Sequence, residues 1–190
     1  MSSEKPKPKR VRKEELLYEP VLNTLRTVLS YNYVEREIQH RPVVRENPYL
    51  EITSESISEV LKKVLNDKAI RILNVENVRA LRPDIMGFVK KKSSSPKELI
   101  TVEVKATPIK IRDVLQAKFY QDVFSPTFNL LVSPKEIPER KLRYVLDMDD
   151  IRGKTIIAKL VRHPMDYLFE IDQRFENHIP PAFKNCIIHE

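Results

Sequence analysis

The chain has 190 residues and a formal charge of +7, and it contains two glycines and one cysteine. Its length suits one domain, and the lone Cys186 excludes an intramolecular disulfide and a multi-cysteine zinc or iron–sulfur site within the chain. Because Gly87 and Gly153 are the only glycines, the glycine-rich phosphate loops of Rossmann and P-loop proteins are excluded as well.

Residues 1–13 form a basic segment ahead of the first periodic element. They contain six lysines and arginines against one glutamate, so they carry 6 − 1 = +5 and leave 7 − 5 = +2 for the remainder. Their low apolar content predicts a disordered arm, followed by a single domain over 14–190. Such an arm suits nucleic acid, and about five phosphate contacts would give a salt slope of roughly −4.5. A solvated tail or a targeting signal is the alternative.

The sequence has no apolar run long enough for a membrane span, and its basic start lacks the apolar segment of a signal peptide. We therefore expect a soluble, cytoplasmic protein with no membrane partner. The first regular spacing comes from Tyr18, Val21, Leu22, Leu25, Val28 and Leu29. It predicts a helix over 14–30 that, because of Pro20, either begins near Glu19 or bends there. A strand is predicted over 31–39 and a helix over 54–66, capped by Ser54.

Two apolar runs, Ile85–Val89 and Leu99–Ala106, flank a segment rich in lysine and serine over 90–97. This pattern predicts a hairpin with a basic, mobile turn that could lie along a DNA backbone. The turn lysines that would contact nucleic acid are Lys90, Lys91 and Lys92.

The hairpin places three charged side chains on one face. If the turn is symmetric about the 93/94 bond, the numbers of paired residues sum to 187, and Asp84 lies opposite Glu103. Alternation then puts Lys105 on the same face and turns Ile100, Val102 and Val104 to the core. One face is thus predicted to be core and the other to carry chemistry.

Opposed carboxylates in an antiparallel pair have Cβ atoms about 5 Å apart, so their repulsion is costly unless a cation intervenes. Oxygen ligands favour Mg²⁺ or Mn²⁺. Such a cation polarises a phosphodiester and acidifies water, and Lys105 can orient the nucleophile or stabilise the transition state. The pattern indicates phosphodiester hydrolysis, with an ordinary surface ion pair between Glu103 and Lys105 as the alternative.

The whole stretch resembles the PD-(D/E)xK nuclease superfamily, which has the restriction-endonuclease-like fold. The matching segments are Arg82-Pro83-Asp84-Ile85, Glu103-Val104-Lys105 and Gln116-Ala117-Lys118-Phe119-Tyr120. The last is similar to the Gln-x-x-x-Tyr element of the recombination-exonuclease-like branch, and the order of elements is similar over about residues 14–160. The resemblance implies an α/β domain with a central mixed sheet flanked by helices, acting as a deoxyribonuclease that depends on Mg²⁺ or Mn²⁺.

By this resemblance Asp84, Glu103 and the Val104 carbonyl would be metal ligands, and Lys105 would be the catalytic lysine. The family also has a catalytic glutamate on its first helix. The pattern Glu14-x-x-Leu17-Tyr18-x-Pro20 favours Glu14 over Glu15 for that position. Iron–sulfur members of the exonuclease-like branch have several cysteines that this chain lacks.

The third motif falls on a helix that Thr107 and Pro108 are expected to begin. Its predicted buried stripe is Ile111, Val114, Leu115, Phe119 and Val123. Gln116 and Tyr120 lie beside that stripe, where they could hydrogen-bond a nucleotide or hold Lys105 in place. A polar pair packed against the sheet is the alternative.

A strand over 128–132, a helix over 138–147 and a strand over 155–161 complete the predicted elements. The expected partner is DNA, and duplex, single-stranded and branched forms all remain open. A homodimer and a subunit of a larger complex are both compatible with the sequence. The main alternative to the enzyme is a non-catalytic nucleic-acid-binding module that keeps the nuclease fold.

Overall fold

The computed structural model describes residues 12–31, 48–74, 81–91, 94–146, 148, 151, 155–172, 183 and 187–188. The helices are α1 (Glu15–Tyr31), α2 (Glu59–Lys62), α3 (Asp67–Leu73), α4 (Ile111–Phe124) and α5 (Glu139–Leu146). The strands are β1 (Tyr49–Ile52), β2 (Ile85–Lys91), β3 (Ser94–Val104), β4 (Phe128–Ser133), β5 (Ile156–Arg162), β6 (Tyr167–Asp172) and β7 (Ile187–Ile188). Across these described ranges, none of the helices has the length and apolar character that crossing a membrane requires.

The strands form one mixed sheet in the order β1 to β7. The pairs β1–β2, β2–β3 and β5–β6 are antiparallel, whereas β3–β4, β4–β5 and β6–β7 are parallel. The two central parallel pairs are joined through α4 and α5, as crossover connections between parallel strands require. The predicted α/β class, with a central mixed sheet flanked by helices, is confirmed.

Both faces of the sheet are buried. On one face, inward side chains of β2 to β6 pack against α1. On the other face, Met86 and Leu99 pack with Tyr120 and Phe124 of α4, and Leu131 packs with side chains of α4 and α5. The prediction that only one face is core is therefore wrong, because crossover helices cover the second face of a central strand.

The hairpin register is confirmed from Ile85↔Val102 to Val89↔Glu98, where every pair of numbers sums to 187. Near the tip the register shifts to Lys91↔Ser94, and the strands extend to those residues, so the turn is shorter than predicted. A Cβ atom on Gly87 would lie 2.0 Å from the Tyr49 carbonyl oxygen, which explains the glycine, since β1 passes too close for any side chain.

Four other predicted elements are confirmed: the helices 14–30 and 138–147, and the strands 128–132 and 155–161, which correspond to α1, α5, β4 and β5. The strands β1, β6 and β7 were not predicted. Of the basic arm predicted over residues 1–13, residues 1–11 lie outside the described residues. So does the predicted strand over 31–39, except for Tyr31, which ends α1.

The single helix predicted over 54–66 is wrong, since α2 and α3 take its place. The side chain of Ser58 accepts from the Leu61 N–H and caps α2, and that of Asn66 accepts from the Ala69 N–H and caps α3. Two polar caps eight residues apart favour two short helices, because each cap satisfies backbone donors that a continuous helix would bond itself.

Candidate functional site

The hairpin brings Asp84 and Glu103 together at one end of the sheet. Asp84 directly precedes β2, Glu103 is the second-last residue of β3, and Lys105 follows that strand. The Val104 N–H donates to Oδ2 of Asp84 at 2.7 Å, so the Asp84 carboxylate is tied to the strand that carries Glu103. The sequence placed these residues correctly because the register of the hairpin determines their positions.

The backbone around Asp84 is held by Thr53, which the sequence analysis did not identify. The Thr53 N–H donates to the Asp84 carbonyl at 2.8 Å, and its hydroxyl donates to the Pro83 carbonyl at 2.6 Å. Thr53 is fully buried, so both bonds form away from water. They fix the peptide that carries Asp84.

Helix α1 reaches the same carboxylate through Tyr18, whose hydroxyl donates to Oδ1 of Asp84 at 2.6 Å. Tyr18 was predicted only as a core position. A tyrosine among the aliphatic residues of a buried stripe is a signal that could have identified it, since a buried phenol usually has a hydrogen-bond partner.

Glu14, which precedes α1, and Glu15, its first residue, differ in what they face. Glu14 is half-buried, and its negative charge adds to the effect of burial, the main cause, in raising the pKa of both Asp84 and Tyr18. Glu15 instead accepts a hydrogen bond from the Arg12 N–H, which is a local contact at the helix start. These placements favour Glu14 over Glu15 as the acidic residue beside the site.

Lys105 is enclosed by three acceptors. Its Nζ lies 2.6 Å from Oε1 of Glu103 and 3.2 Å from Oε1 of Gln116, and 3.9 Å from Oδ1 of Asp113. The Lys105 side chain is 15% exposed. Glu103 and Lys105 therefore do not form the exposed surface pair that was the alternative, and Asp113 is a second buried acidic neighbour that sequence reasoning missed.

Gln116 and Tyr120 continue this network. The side-chain amide of Gln116 donates to the Tyr120 hydroxyl at 2.6 Å, and that hydroxyl donates to the Arg82 carbonyl at 3.0 Å. Tyr120 has no exposed surface. Of the two roles considered for this pair, holding Lys105 in place fits the contacts, because a fully buried phenol cannot reach a nucleotide.

The start of α4 and its buried face both differ from the prediction. The helix begins at Ile111 rather than near Thr107, and Asp113 accepts from the Lys110 N–H at 2.8 Å, which stabilises its first turn. The buried residues of α4 are Asp113, Val114, Ala117, Tyr120, Val123 and Phe124. Ile111 and Leu115 are instead 45% and 48% exposed, because the helix turns Ala117 and Tyr120 toward the sheet.

Burial gives both site carboxylates an unusual affinity for protons. It raises the pKa of Glu103 to about 7, with the negative charge of Asp84 as the second cause and Lys105 opposing the rise. Burial also raises the pKa of Asp84, against the hydrogen bonds from Tyr18 and Val104. For Lys105, burial acts to lower the pKa, but the charges of Glu103 and Asp113 outweigh it and raise the pKa above its ordinary value.

Donor chemistry in this cluster suits a small divalent cation. Oε2 of Glu103 is buried and makes no hydrogen bond among the described residues, because the nearby Tyr120 hydroxyl, which acts against the rise in the pKa of Glu103, donates to the Arg82 carbonyl instead. In the same described ranges, no group of three or more His, Cys, Asp or Glu side chains is placed to hold a metal. The carboxylates of Asp84 and Glu103 are hard oxygen donors of the kind that Mg²⁺ and Mn²⁺ prefer.

The lysines expected to contact nucleic acid fall at the hairpin tip. Lys90 and Lys91 belong to β2, whereas Lys92 lies outside the described residues. Lys97, on the opposite strand, has its Nζ 4.5 Å from the centre of the Phe88 ring. That cation–π contact leaves Lys97 exposed and holds a positive charge on the outer part of the hairpin.

Comparison of the sequence with models of known protein families and with characterised proteins found no match. Function must therefore be inferred from the chemistry of the cluster. Three features bear on it: the buried carboxylate of Glu103 beside the half-buried one of Asp84, a lysine bound to Glu103, and one oxygen of Glu103 without a hydrogen bond among the residues described.

Proposed function

We propose that this chain is a deoxyribonuclease that depends on Mg²⁺ or Mn²⁺. Its active site, where phosphodiester bonds would be hydrolysed, would be formed by Asp84, Glu103 and Lys105. The observation that carries the proposal is the buried Oε2 of Glu103, which makes no hydrogen bond in the described part of the chain. The half-buried carboxylate of Asp84 lies beside it, and its negative charge adds to burial in raising the pKa of Glu103. Bringing two carboxylates together in an enclosed site is costly unless a cation compensates them. A divalent cation would supply the missing partner and draw ligands from both residues.

The fold supports a PD-(D/E)xK assignment with a restriction-endonuclease-like core. A helix precedes the hairpin that carries the two acids, a second helix carries Gln116 and Tyr120, and a parallel strand follows. A purely structural ion pair between Glu103 and Lys105 fits less well. It would leave one carboxylate oxygen unsatisfied in the interior, which structural pairs normally avoid.

Each residue of the cluster has a definable part in the proposed reaction. Asp84, Glu103 and the Val104 carbonyl would hold the cation, which when bound polarises the phosphodiester and lowers the pKa of water. Lys105 would present its positively charged ammonium group to the reacting phosphate or its nucleophile. Its position is set by Glu103 and Gln116, which contact its Nζ.

Several other side chains would prepare this arrangement. Tyr18 and Thr53 orient the Asp84 side chain and backbone, and Glu14 would add negative charge at the edge of the site. The lysines of the hairpin and the basic residues 1–13 would supply phosphate contacts without reading sequence. DNA binding by these segments would be strongly dependent on salt concentration.

The proposal is tested by incubating the protein with labelled single-stranded, duplex and four-way-junction DNA, with Mg²⁺, Mn²⁺ or EDTA. We expect cleavage with either metal, none with EDTA, and a loss of at least about 10²-fold in Glu103→Gln. Glu170→Gln is the matched control, since Glu170 is also a strand carboxylate that pairs with a lysine: it lies on β6 and pairs with Lys159 of β5. If the protein binds DNA but neither cleaves it nor binds Mn²⁺, the non-catalytic nucleic-acid-binding module is favoured.

A further inference from the structure

A groove of about 450 Å³ opens beside Lys105 along the outer side of α4. Leu81, Leu115 and Phe119 form its apolar wall, Lys105 and Arg112 provide positive charge, and Asp113 is the acidic residue of the lining. Leu81 and Leu115 are 36% and 48% exposed, although soluble surfaces usually gather few large aliphatic side chains in one concave place. The Arg112 side chain is 79% exposed, and its Nε lies 3.7 Å from Oδ1 of the buried Asp113, so the outer edge of the guanidinium group faces solvent.

We propose that this groove binds one unpaired base of the DNA strand being cut, with the adjoining phosphate directed to Lys105 and Arg112. This inference rests on the proposed nuclease function, because Lys105 belongs to both the groove and the catalytic cluster. The groove volume lies within the range of roughly 300–1,000 Å³ typical of small-ligand pockets. Lys105 and Arg112 outnumber Asp113 in the lining, so an apolar wall lies beside a net positive charge, which matches a nucleotide because a nucleotide joins a flat ring system to an anion.

The base must be unpaired because of how it enters the groove. A base inside a duplex is stacked on both faces and paired along its edge, and it reaches a side pocket only after leaving the stack. Single strands, frayed ends and flaps present such a base without that cost. The groove therefore favours single-stranded DNA, or the single-stranded part of a branched substrate, over intact duplex.

Little base preference is expected of this groove. The side-chain oxygen of Gln116 accepts from Lys105, and its nitrogen donates to Tyr120, so the uncharged polar side chain in the wall is already engaged within the protein. The remaining contact surface comes from Leu81, Leu115 and Phe119. Apolar contact with a base face is tolerant of sequence, since every base has such a face.

The test compares Leu115→Glu with Ile111→Glu. Both residues are on α4 and are similarly exposed, at 48% and 45%, but only Leu115 is part of the groove wall. Each substitution adds one negative charge to the same helix, so non-specific electrostatic effects are matched. Binding is measured by fluorescence anisotropy in EDTA, using a labelled single-stranded oligonucleotide and a strand of equal length whose bases are replaced by abasic spacers.

We expect wild type to bind the natural strand about tenfold more tightly than the abasic strand. Leu115→Glu should lose most of this difference, whereas Ile111→Glu should keep it. Arg112→Gln is a second variant at an exposed position, and it should weaken binding to both strands equally. Melting temperatures of all variants verify that they are folded.

Several results would overturn the proposal. Equal behaviour of Leu115→Glu and Ile111→Glu, or no preference of wild type for the natural strand, would show that no base enters the groove. Equal preference for intact duplex would overturn the requirement for an unpaired base. Metal-dependent cleavage without a preference for the natural strand would support the nuclease and contradict base binding in the groove. A preference for the natural strand without cleavage in any metal would support base binding and contradict the nuclease.

Discussion

The Tyr18 hydroxyl and Oδ1 of Asp84 are joined by a 2.6 Å hydrogen bond across 66 positions of the sequence. Burial, and then Asp84 itself, raise the pKa of Tyr18, so the phenol remains a donor throughout the neutral range. This bond lowers the pKa of Asp84 and partly opposes the effect of burial. It therefore stabilises the charged form of the carboxylate that the proposed cation needs.

Tyr18→Phe should make Asp84 harder to ionise and destabilise the fold at neutral pH. A hydrogen bond to a charged group contributes about 1.5–3 kcal/mol, and most of that should be lost while Asp84 is ionised. Urea unfolding of Tyr18→Phe, Asp84→Asn and the double variant gives the coupling energy directly. Additive effects of the two substitutions would show that the bond contributes nothing to stability.

The raised pKa of Glu103 predicts that the metal-free protein loses stability as the pH rises. The folded state binds the Glu103 proton up to about pH 7, whereas an unfolded glutamate releases it near 4.5. Since the folded state then holds more protons than the unfolded state, the free energy of unfolding falls across that window. Melting temperatures between pH 5 and 8 in EDTA would measure this fall.

Mn²⁺ should reverse that trend, because the cation replaces the proton on Glu103 and binds more tightly once the proton has left. In Glu103→Gln, both the decline in EDTA and the rescue by Mn²⁺ should be reduced. If the wild-type and Glu103→Gln profiles run parallel with and without Mn²⁺, Glu103 is neither titrating in this range nor binding the metal.

The parts of the fold that were predicted correctly depend on short-range pattern. The predicted register holds from Ile85 to Val89 and places Asp84 beside Glu103. The pair Lys91↔Ser94 shows that the hairpin is not centred on the 93/94 bond as assumed, and the irregularity between Val89 and Lys91 offsets that difference. Helix α1 was equally clear, since its apolar stripe is long and regular. In both cases the regular spacing of apolar residues along the chain is enough to predict the element.

The parts that were not predicted depend on contacts distant in sequence. Ile111 and Leu115 are apolar and have the spacing of a buried stripe. The side of α4 that faces the sheet is instead the one that carries Tyr120, whose hydroxyl donates to the Arg82 carbonyl. Asp113 stabilises the first turn of α4 and lies near Lys105, and the second contact joins residues that only the packing of α4 on the sheet brings together. Apolar character alone does not distinguish a core residue from the wall of a groove.

Thr53→Val should separate support of the site from general stability. The substitution removes the buried hydroxyl that bonds the Pro83 carbonyl, at a cost of about 1–3 kcal/mol, and it should weaken Mn²⁺ binding because the peptide before Asp84 is loosened. Thr155→Val is the control. Thr155 is also buried and accepts from Asn129, so it should lose comparable stability without changing Mn²⁺ affinity in calorimetric titrations.

The final prediction distinguishes the metal ligand from the catalytic lysine. Asp84→Asn should weaken Mn²⁺ binding and cleavage together. Its fold should survive, since the oxygen of the introduced amide can still accept from the Val104 N–H while its nitrogen donates to the Tyr18 hydroxyl, which then acts as acceptor. The loss of one of two neighbouring carboxylate charges should even stabilise the metal-free protein. Calorimetry with Mn²⁺ and melting curves in EDTA measure both effects.

Lys105→Met should give a different result: Mn²⁺ stays bound, and cleavage falls by about 10²- to 10³-fold. Stability in EDTA should fall as well, because the Lys105 Nζ is the ion-pair partner of Glu103, at 2.6 Å, and removing it leaves a buried carboxylate uncompensated. Added Mn²⁺ should restore part of that stability. Lys159→Met is the control, since Lys159 pairs with Glu136 and Glu170 nearer the surface, and it should leave cleavage and Mn²⁺ binding unchanged. Full cleavage activity of Lys105→Met would show that Lys105 is not catalytic, whether or not the variant binds Mn²⁺.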